Sequence, residues 1–333
     1  MNTDRSIVVA GAGAIGCFVG GMLAVANRRV GLLVRPRMKA EIERFGLRLT
    51  GFDGAENKLG AGQLALSEDP AILHSAGIVL VTVKSADTAA VAELIAQHAP
   101  QDAVIVSLQN GVGNVAVLHE RLGSRRVLAG MVPFNVIAMG EGRFHRSTSG
   151  DIHLGEDADN TAAALSVPGL AVRASRDITG VQWGKLIINL NNALSALSDL
   201  PLAAQLANRE WRKLFADQMA EGLAVIKAAG INPVSATPVP ANWTPTLLRL
   251  PDAIFNLILG RTMKIDPEAR SSMWQDLKQG RRTEIDYLQG AVIALAEQHG
   301  VAVPLMRRIV ALIKEAEVAG KGPPGLTPQQ IRG

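Results

Sequence analysis

Ser6-Ile7-Val8-Val9-Ala10-Gly11-Ala12-Gly13-Ala14-Ile15-Gly16 is a short β-branched run that feeds directly into G-x-G-x-x-G. The pattern predicts a strand, a tight turn and the first turn of a helix. Gly11 permits the turn, Gly13 lets a pyrophosphate approach the backbone, and Gly16 lets helix and strand pack closely. The helix start, carrying Ala12, Ala14 and Ile15 between those glycines, offers free N–H groups and a positive dipole end to the phosphates. Residues 11–16 are therefore the candidate dinucleotide-binding turn.

The same stretch has a rival reading. From Ser6 to Asn27 there is no charge, a length that would suit a transmembrane span or a signal-peptide core. Glycines at 11, 13, 16, 20 and 21 argue against it, because they fall where a phosphate-binding turn needs them. The run also splits into a strand-like piece (Ile7 to Ala10) and a helix-like piece (Ile15 to Ala26), with no convincing small-x-small cleavage site after it. The expectation is a soluble, cytoplasmic protein with no membrane partner.

Outward from this unit the first half alternates strand and helix. Arg29 to Val34 reads as a second strand, and Ala76 to Val83 is a near-continuous apolar run, as expected of a central parallel strand. Asp87 to His98 reads as a helix and Ala103 to Leu108 as the next strand. The segment from Val127 to about Gly155 is rich in glycine and strand-like pieces and is expected to complete the sheet. From about Asp177 helical periodicity takes over, over Gln182 to Leu197, Asn208 to Ala229, Asp252 to Met263, Thr283 to His299 and Pro304 to Val318. The fold class expected is α/β, a doubly wound Rossmann-type sheet followed by an all-α domain. The domains are 1–175 and 176–333, with the boundary near 173–178. Pro233 to Pro251 carries five prolines and is a poor helix.

The 333 residues suffice for two domains with separate cores. A net charge of +4 without Lys/Arg blocks or interleaved aromatics makes nucleic-acid binding a poor reading and suits small anions. The single cysteine, Cys17, excludes an internal disulfide framework and reads as a small packed helix residue rather than a nucleophile. The six histidines show no H-x-x-x-H or H-E-x-x-H spacing, so no metal site is expected.

In this class of sheet the end of the second strand meets the adenosine ribose. An acid there accepts from a 2′-OH, whereas an arginine suits a 2′-phosphate. Here the strand ends Val34-Arg35-Pro36-Arg37, without an acid, which favours NADP over NAD. Arg35 is the first candidate and Arg37 the second. Lys84 and Asn110, after the strands at 78–83 and 103–108, lie at the same carboxyl edge of the sheet, where ligands of open α/β sheets bind.

In the helical half, Lys185, Asn189 and Asn192 share one face of a helix at i, i+4 and i+7, among Leu186, Ile187, Ile188 and Leu190. A buried ammonium costs several kcal/mol, roughly, unless paired. The stripe therefore reads as a site more readily than as an interior hydrogen-bond network, and burial would lower the lysine pKa towards that of a proton donor. A second polar cluster runs from Ser271 to Asp276 and from Gly280 to Asp286. Thr283 with Asp286 resembles a capping box, which starts a helix at Thr283 and puts Glu284 in its first turn. Ser272 and Glu284 meet one small ligand only if the chain breaks between them, and Gly280 is the expected place. Alternatively Glu284 only caps, or pairs with Arg281 or Arg282.

G-A-G-A-I-G at 11–16, V-T-V-K at 81–84, Q-N-G-V-G at 109–113, W-G-K-L-I-I-N at 183–189, and S-S-M-W-Q-D with R-R-T-E-I-D at 271–286 occur here in the order typical of ketopantoate reductases (2-dehydropantoate 2-reductases), which the sequence resembles over most of its length. The opening glycines and the Lys-x-x-x-Asn helix also resemble the wider β-hydroxyacid dehydrogenase group. The resemblance implies an NADPH enzyme of two domains with a deep cleft, its C-terminal helices of the 6-phosphogluconate-dehydrogenase type. By that analogy Lys185 is the general acid, Asn189, Asn192 and Asn110 orient a 2-oxo acid, Ser272 binds its carboxylate and Glu284 its far hydroxyl. Arg35 and Lys84 would hold the 2′-phosphate. Ala193 and Ala269 stand where the family typically, or in some members, has asparagine, and the segment Pro233 to Ile265 is longer than the usual connection. All three departures fall on the substrate side. The alternatives are a reductase of a different 2-oxo acid and a non-catalytic NADP-binding sensor; a homodimer is left open.

Overall fold

The structure is a computed structural model, and it describes residues 5–235, 239–259 and 269–333. The chain divides into two compact units, Met1–Ile178 and Thr179–Gly333.

In the first unit β1 (Ile7–Ala10) leads into α1 (Ala14–Val25), β2 (Val30–Leu33) and α2 (Pro36–Phe45). Then come β3 (Leu47–Gly51), β4 (Glu56–Leu59), β5 (Ala65–Ser67), β6 (Ile78–Val81), α3 (Thr88–His98), β7 (Val104–Ser107) and α4 (Asn114–Leu122). The unit closes with β8 (Val127–Met131), β9 (Val136–Gly140), β10 (Arg143–Arg146), β11 (Ile152–Gly155), α5 (Thr161–Leu165) and β12 (Val172–Ser175). The main sheet has the order β12-β11-β8-β7-β6-β1-β2-β5, parallel from β5 to β8, with β11 antiparallel to β8. Chain order runs outward in both directions from β1, so the crevice beside that strand is a topological switch point. Val9, Leu32, Leu80 and Val106 point to one apolar core and Val8, Val79, Val81 and Ile105 to another. Covering on both faces is why these strands read as unbroken apolar runs.

The expectation that residues 127–155 all complete this sheet is corrected. β8 and β11 join it, but β9 and β10 form a second sheet with the order β4-β3-β10-β9. α1 is lodged between the two sheets. A Cβ on Gly20 would stand 2.8 Å from Leu32 Cδ2, and one on Gly21 would stand 2.7 Å from Leu49 Cδ1. A helix clamped on two faces has no room for charge, which accounts for the uncharged run from Ser6 to Asn27. Among the described residues no helix is long and apolar enough to cross a membrane.

The second unit is helical: α6 (Ile178–Asn189), α7 (Asn191–Ser198), α8 (Leu202–Ala207), α9 (Arg209–Ala228), α10 (Thr244–Leu248), α11 (Asp252–Leu259), α12 (Ser272–Lys278), α13 (Ile285–His299), α14 (Pro304–Ala319) and α15 (Pro328–Arg332). α9 is its spine. Gly222 there lets Ile187 and Leu190 come close, since an added Cβ would meet Ile187 Cδ1 at 2.7 Å. The expected helix from Gln182 to Leu197 is interrupted at Leu190, and that from Thr283 begins two residues later, at Ile285. Among its described residues the proline-rich stretch holds a 3-10 turn, Ala241–Trp243, followed by the short helix α10, with Pro245 in its first turn. Residues 236–238 of that stretch, with Pro238, and residues 260–268, with Met263 and Ile265, lie outside the described residues.

Candidate functional site

The glycines of the first turn divide their work as their spacing suggests. Gly11 has φ +104°, and a Cβ on it would strike Val83 N at 2.7 Å. A Cβ on Gly16 would lie 2.6 Å from both Gly11 O and Thr82 Oγ1, and the Thr82 hydroxyl donates to Gly11 O at 2.6 Å. Around Gly13 nothing stands within 4 Å of such a Cβ. The turn is thus tight on the sheet side and open at Gly13, the N-cap of α1, which is the shape a pyrophosphate cradle requires. Cys17 one turn on is fully buried, its thiol donating to Ala12 O at 3.3 Å. Burial pushes that thiol up to about 12, with the Glu41 carboxylate adding to the effect.

The register puts the strand ends in one row: Ala10 pairs with Leu33 and with Val81, and Val81 with Ser107. Arg35, Lys84 and Asn110 follow within a few residues of those ends, on the edge where Gly11 turns. Arg35, an exposed residue just before α2, places its guanidinium 3.4 Å from the Asp87 carboxylate. Arg37 is exposed on the first turn of α2.

The loops bearing Lys84 and Asn110 are held by a buried polar network that motif reading did not single out. Gln109 Nε2 donates to Thr88 Oγ1 at 2.7 Å and to Val83 O at 3.2 Å, and Thr88 Oγ1 donates to Asn114 Oδ1 at 2.9 Å. Asn114 Nδ2 in turn donates to Asn110 O at 2.7 Å and to Ser85 Oγ at 3.2 Å. The available signal was a set of uncharged polar residues immediately after two apolar strands.

In the helical unit Lys185 and Asn189 lie on α6, both half-buried. Burial pulls the Lys185 ammonium down to about 8, and the Glu284 carboxylate, which raises it, offsets part of that shift. Two residues far apart in sequence are thereby brought into electrostatic reach. Asn192 belongs to α7, beyond the interruption at Leu190, whose dihedrals remain helical. Its backbone carbonyl accepts the Ser271 hydroxyl at 3.0 Å, and Ser271 Oγ also accepts the Trp274 N–H at 3.1 Å as the cap of α12. Ser272 is exposed on the first turn of α12. Asp199 ties the same end of α12 to the end of α7, accepting from Trp274 Nε1 at 2.6 Å and from Arg270 at 3.2 Å. Ala193 is fully buried.

The chain breaks between Ser272 and Glu284 where expected: α12 ends at Lys278, and Gly280 takes φ +64°. The capping box does not form. Thr283 Oγ1 accepts from Ile285 N at 3.3 Å, Asp286 pairs with Lys314, and Glu284 sits at the cap position without capping through its side chain. Asp286 is drawn away by a cation on the neighbouring α14, a competitor invisible in local spacing. Arg281 pairs with Asp276 at 3.0 Å.

The profile of the family described as ketopantoate reductase PanE/ApbA matches residues 7–159, and that of ketopantoate reductase PanE/ApbA C terminal matches residues 177–317. A 2-dehydropantoate 2-reductase of Halobacterium salinarum is 29% identical over 323 residues, covering 94% of this chain and 99% of its own. The crystal structure of a PanE/ApbA family ketopantoate reductase from Ralstonia eutropha superposes with a TM-score of 0.80 at 31% identity, over 95% of this chain and 99% of its own. D-mandelate dehydrogenase, in a ternary structure with NADH and anilino(oxo)acetate, shares the fold with a TM-score of 0.79 at 21% identity, over 95% and 99% of the two chains.

Proposed function

Since the chain belongs to the ketopantoate reductase PanE/ApbA family of nicotinamide-dependent oxidoreductases, we propose that it reduces 2-dehydropantoate to pantoate with NADPH. The observation that carries this reading is Lys185, held down to about 8 by burial beside the carboxylate of Glu284. A 2-oxo acid becomes a 2-hydroxy acid by gaining a hydride at carbon and a proton at oxygen, and a lysine titrating near 8 is a competent donor of that proton. Lys185 gives its proton to the ketone oxygen, while Asn189 and Asn192 orient the substrate. Ser272 takes the substrate carboxylate and Glu284 its distal hydroxyl.

A nicotinamide dinucleotide supplies the hydride when bound. The residues present fit it: the open cradle at Gly13, the row of strand ends, and the absence of an acid after β2. Residues 11–16 take the pyrophosphate, Arg35 and Lys84 the 2′-phosphate, and Asn110 both contacts cofactor and orients substrate; 1–175 is the cofactor-binding domain and 176–333 the substrate and catalytic domain.

A second reading is a reductase of another 2-oxo acid. It is favoured by Ala193 and Ala269, at positions where the resemblance implies asparagine, typically at 193 and in some members at 269. NADPH consumption measured on 2-dehydropantoate beside a panel of other 2-oxo acids tests both. Turnover confined to 2-dehydropantoate supports the first reading. Faster turnover on another oxo acid selects the second, and tight NADPH binding without turnover on any overturns both.

A further inference from the structure

Gln289 lies on α13 and is completely buried. Its side-chain Nε2 donates to the carbonyl oxygen of Leu190 at 2.9 Å. Leu190 is the residue at which α6 gives way to α7, with φ −55° and ψ −28°. The residues around it, Leu186 to Leu197, contain neither proline nor glycine. The run carries no helix breaker, Leu190 keeps helical dihedrals, and the Gln289 amide reaches its backbone carbonyl at the point where the two helices meet.

The position of this bond matters for the site. Lys185 precedes Leu190 by five residues on α6, and Glu284 precedes Gln289 by five residues at the start of α13. The Gln289–Leu190 hydrogen bond therefore ties together the two helices that carry Lys185 and Glu284, one and a half turns from each. It also lies at the junction between α6, which carries Asn189, and α7, which carries Asn192.

We propose that Gln289 is the positioning residue of the helical site: its amide holds the α6–α7 junction against α13 and so sets the separation of the Lys185 ammonium from the Glu284 carboxylate. A buried amide donor with a fixed acceptor is directional in a way that apolar packing is not, and the neighbouring Leu186, Leu190 and Leu288 are buried aliphatic residues. Without that bond the α6–α7 junction is free to shift against α13. The Lys185 amine then leaves its buried position, and its titration moves up towards the ordinary lysine value.

The role of this separation in catalysis rests on the reductase reading above, so the test uses one readout that does not depend on turnover. Lys185 is titrated in the full-length protein by the pH dependence of its acylation with acetic anhydride, and kcat and KM are measured in parallel with NADPH and 2-dehydropantoate. In Gln289→Met, which keeps the volume and removes the donor, the Lys185 midpoint is expected to rise. In the same variant kcat is expected to fall by about tenfold to a hundredfold, with the KM for NADPH unchanged. If that variant does not fold, Gln289→Asn carries the same readouts. The shorter amide reaches Leu190 only by drawing α13 towards the α6–α7 junction, so the midpoint and kcat move there too. A wild-type Lys185 midpoint in a folded variant of either kind overturns the proposal. A shifted midpoint in a protein that turns over no 2-dehydropantoate upholds the positioning role and faults the reductase reading instead.

Discussion

The carbonyl oxygen of Val234 stands 1.9 Å from the point that a Cβ on Gly184 would occupy, and the Val234 N–H donates to Gly180 O at 2.9 Å. The chain after α9 thus crosses α6 in backbone contact, over two glycines one turn apart, immediately before Lys185. Gly184→Ala forces this crossing off the helix. Overpacking of this kind costs about 1–3 kcal/mol, a fall in melting temperature of roughly 2–12 °C for a unit of this size. An unchanged melting temperature would show that the crossing segment yields freely.

Lys185 gives a pH dependence with a definite sign. As proton donor it must be charged, so kcat for reduction is expected to be level below pH 8 and to fall about tenfold per unit above it. Lys185→Ala lowers kcat by about 10²–10⁴-fold while leaving cofactor affinity little changed. A flat profile between pH 7 and 9.5 in the wild-type protein removes the assignment.

The same group makes a prediction for stability. Its pKa is lower folded than unfolded, so the folded state is penalised while the lysine is charged, below about 8, and the penalty fades as pH rises from there to the ordinary lysine value. Lys185→Met is therefore expected to melt higher than wild type at pH 7, with the gain shrinking by pH 10. Melting curves at the two pH values decide it, and a gain that grows with pH contradicts it.

Arg35 and Asp87 face each other across the ends of β2 and β6, both largely in solvent. An exposed pair of this kind is worth less than about 1 kcal/mol, so a phosphate competes successfully for the guanidinium. Arg35→Ala is expected to weaken NADPH binding about tenfold to a hundredfold, the loss of one charge-assisted contact, with NADH affinity little altered. Asp87→Asn removes the competing carboxylate and is expected to tighten NADPH binding. Equal changes for the two cofactors, read by fluorescence titration, would detach both residues from the 2′-phosphate.

Cys17 is sealed in α1 with its thiol pushed up to about 12. The thiolate is the reactive form, so the native protein at pH 8 is expected to leave a thiol reagent unconsumed and to consume one equivalent once unfolded. Prompt labelling of the native protein would mean that α1 opens between its two sheets.

Much of this architecture was legible because it is written in residue type over short stretches. Gly11 needs a positive φ and Gly16 a close approach, and glycine meets both within six residues. The central strands announce themselves because both faces are buried. The second sheet did not, because β3 and β10 pair in parallel across nearly a hundred residues and their neighbours β4 and β9 are short and mostly exposed. The helix start at Thr283 was misplaced because Lys314, from another helix, claims Asp286.

The helical site divides in the same way. Lys185, Asn189, Ser272 and Glu284 stand out as polar residues in apolar or capping contexts, and the break at Gly280 follows from its tolerance of φ +64°. Nothing near Leu190 predicts the hydrogen bond made there, because its donor is an amide 99 residues further along the chain. Local sequence determined which backbone conformations were allowed and which residues were chemically conspicuous. Tertiary structure decided which of them meet, because a hydrogen bond or desolvated charge draws its partner from whichever helix packs beside it, and that neighbour is remote in sequence.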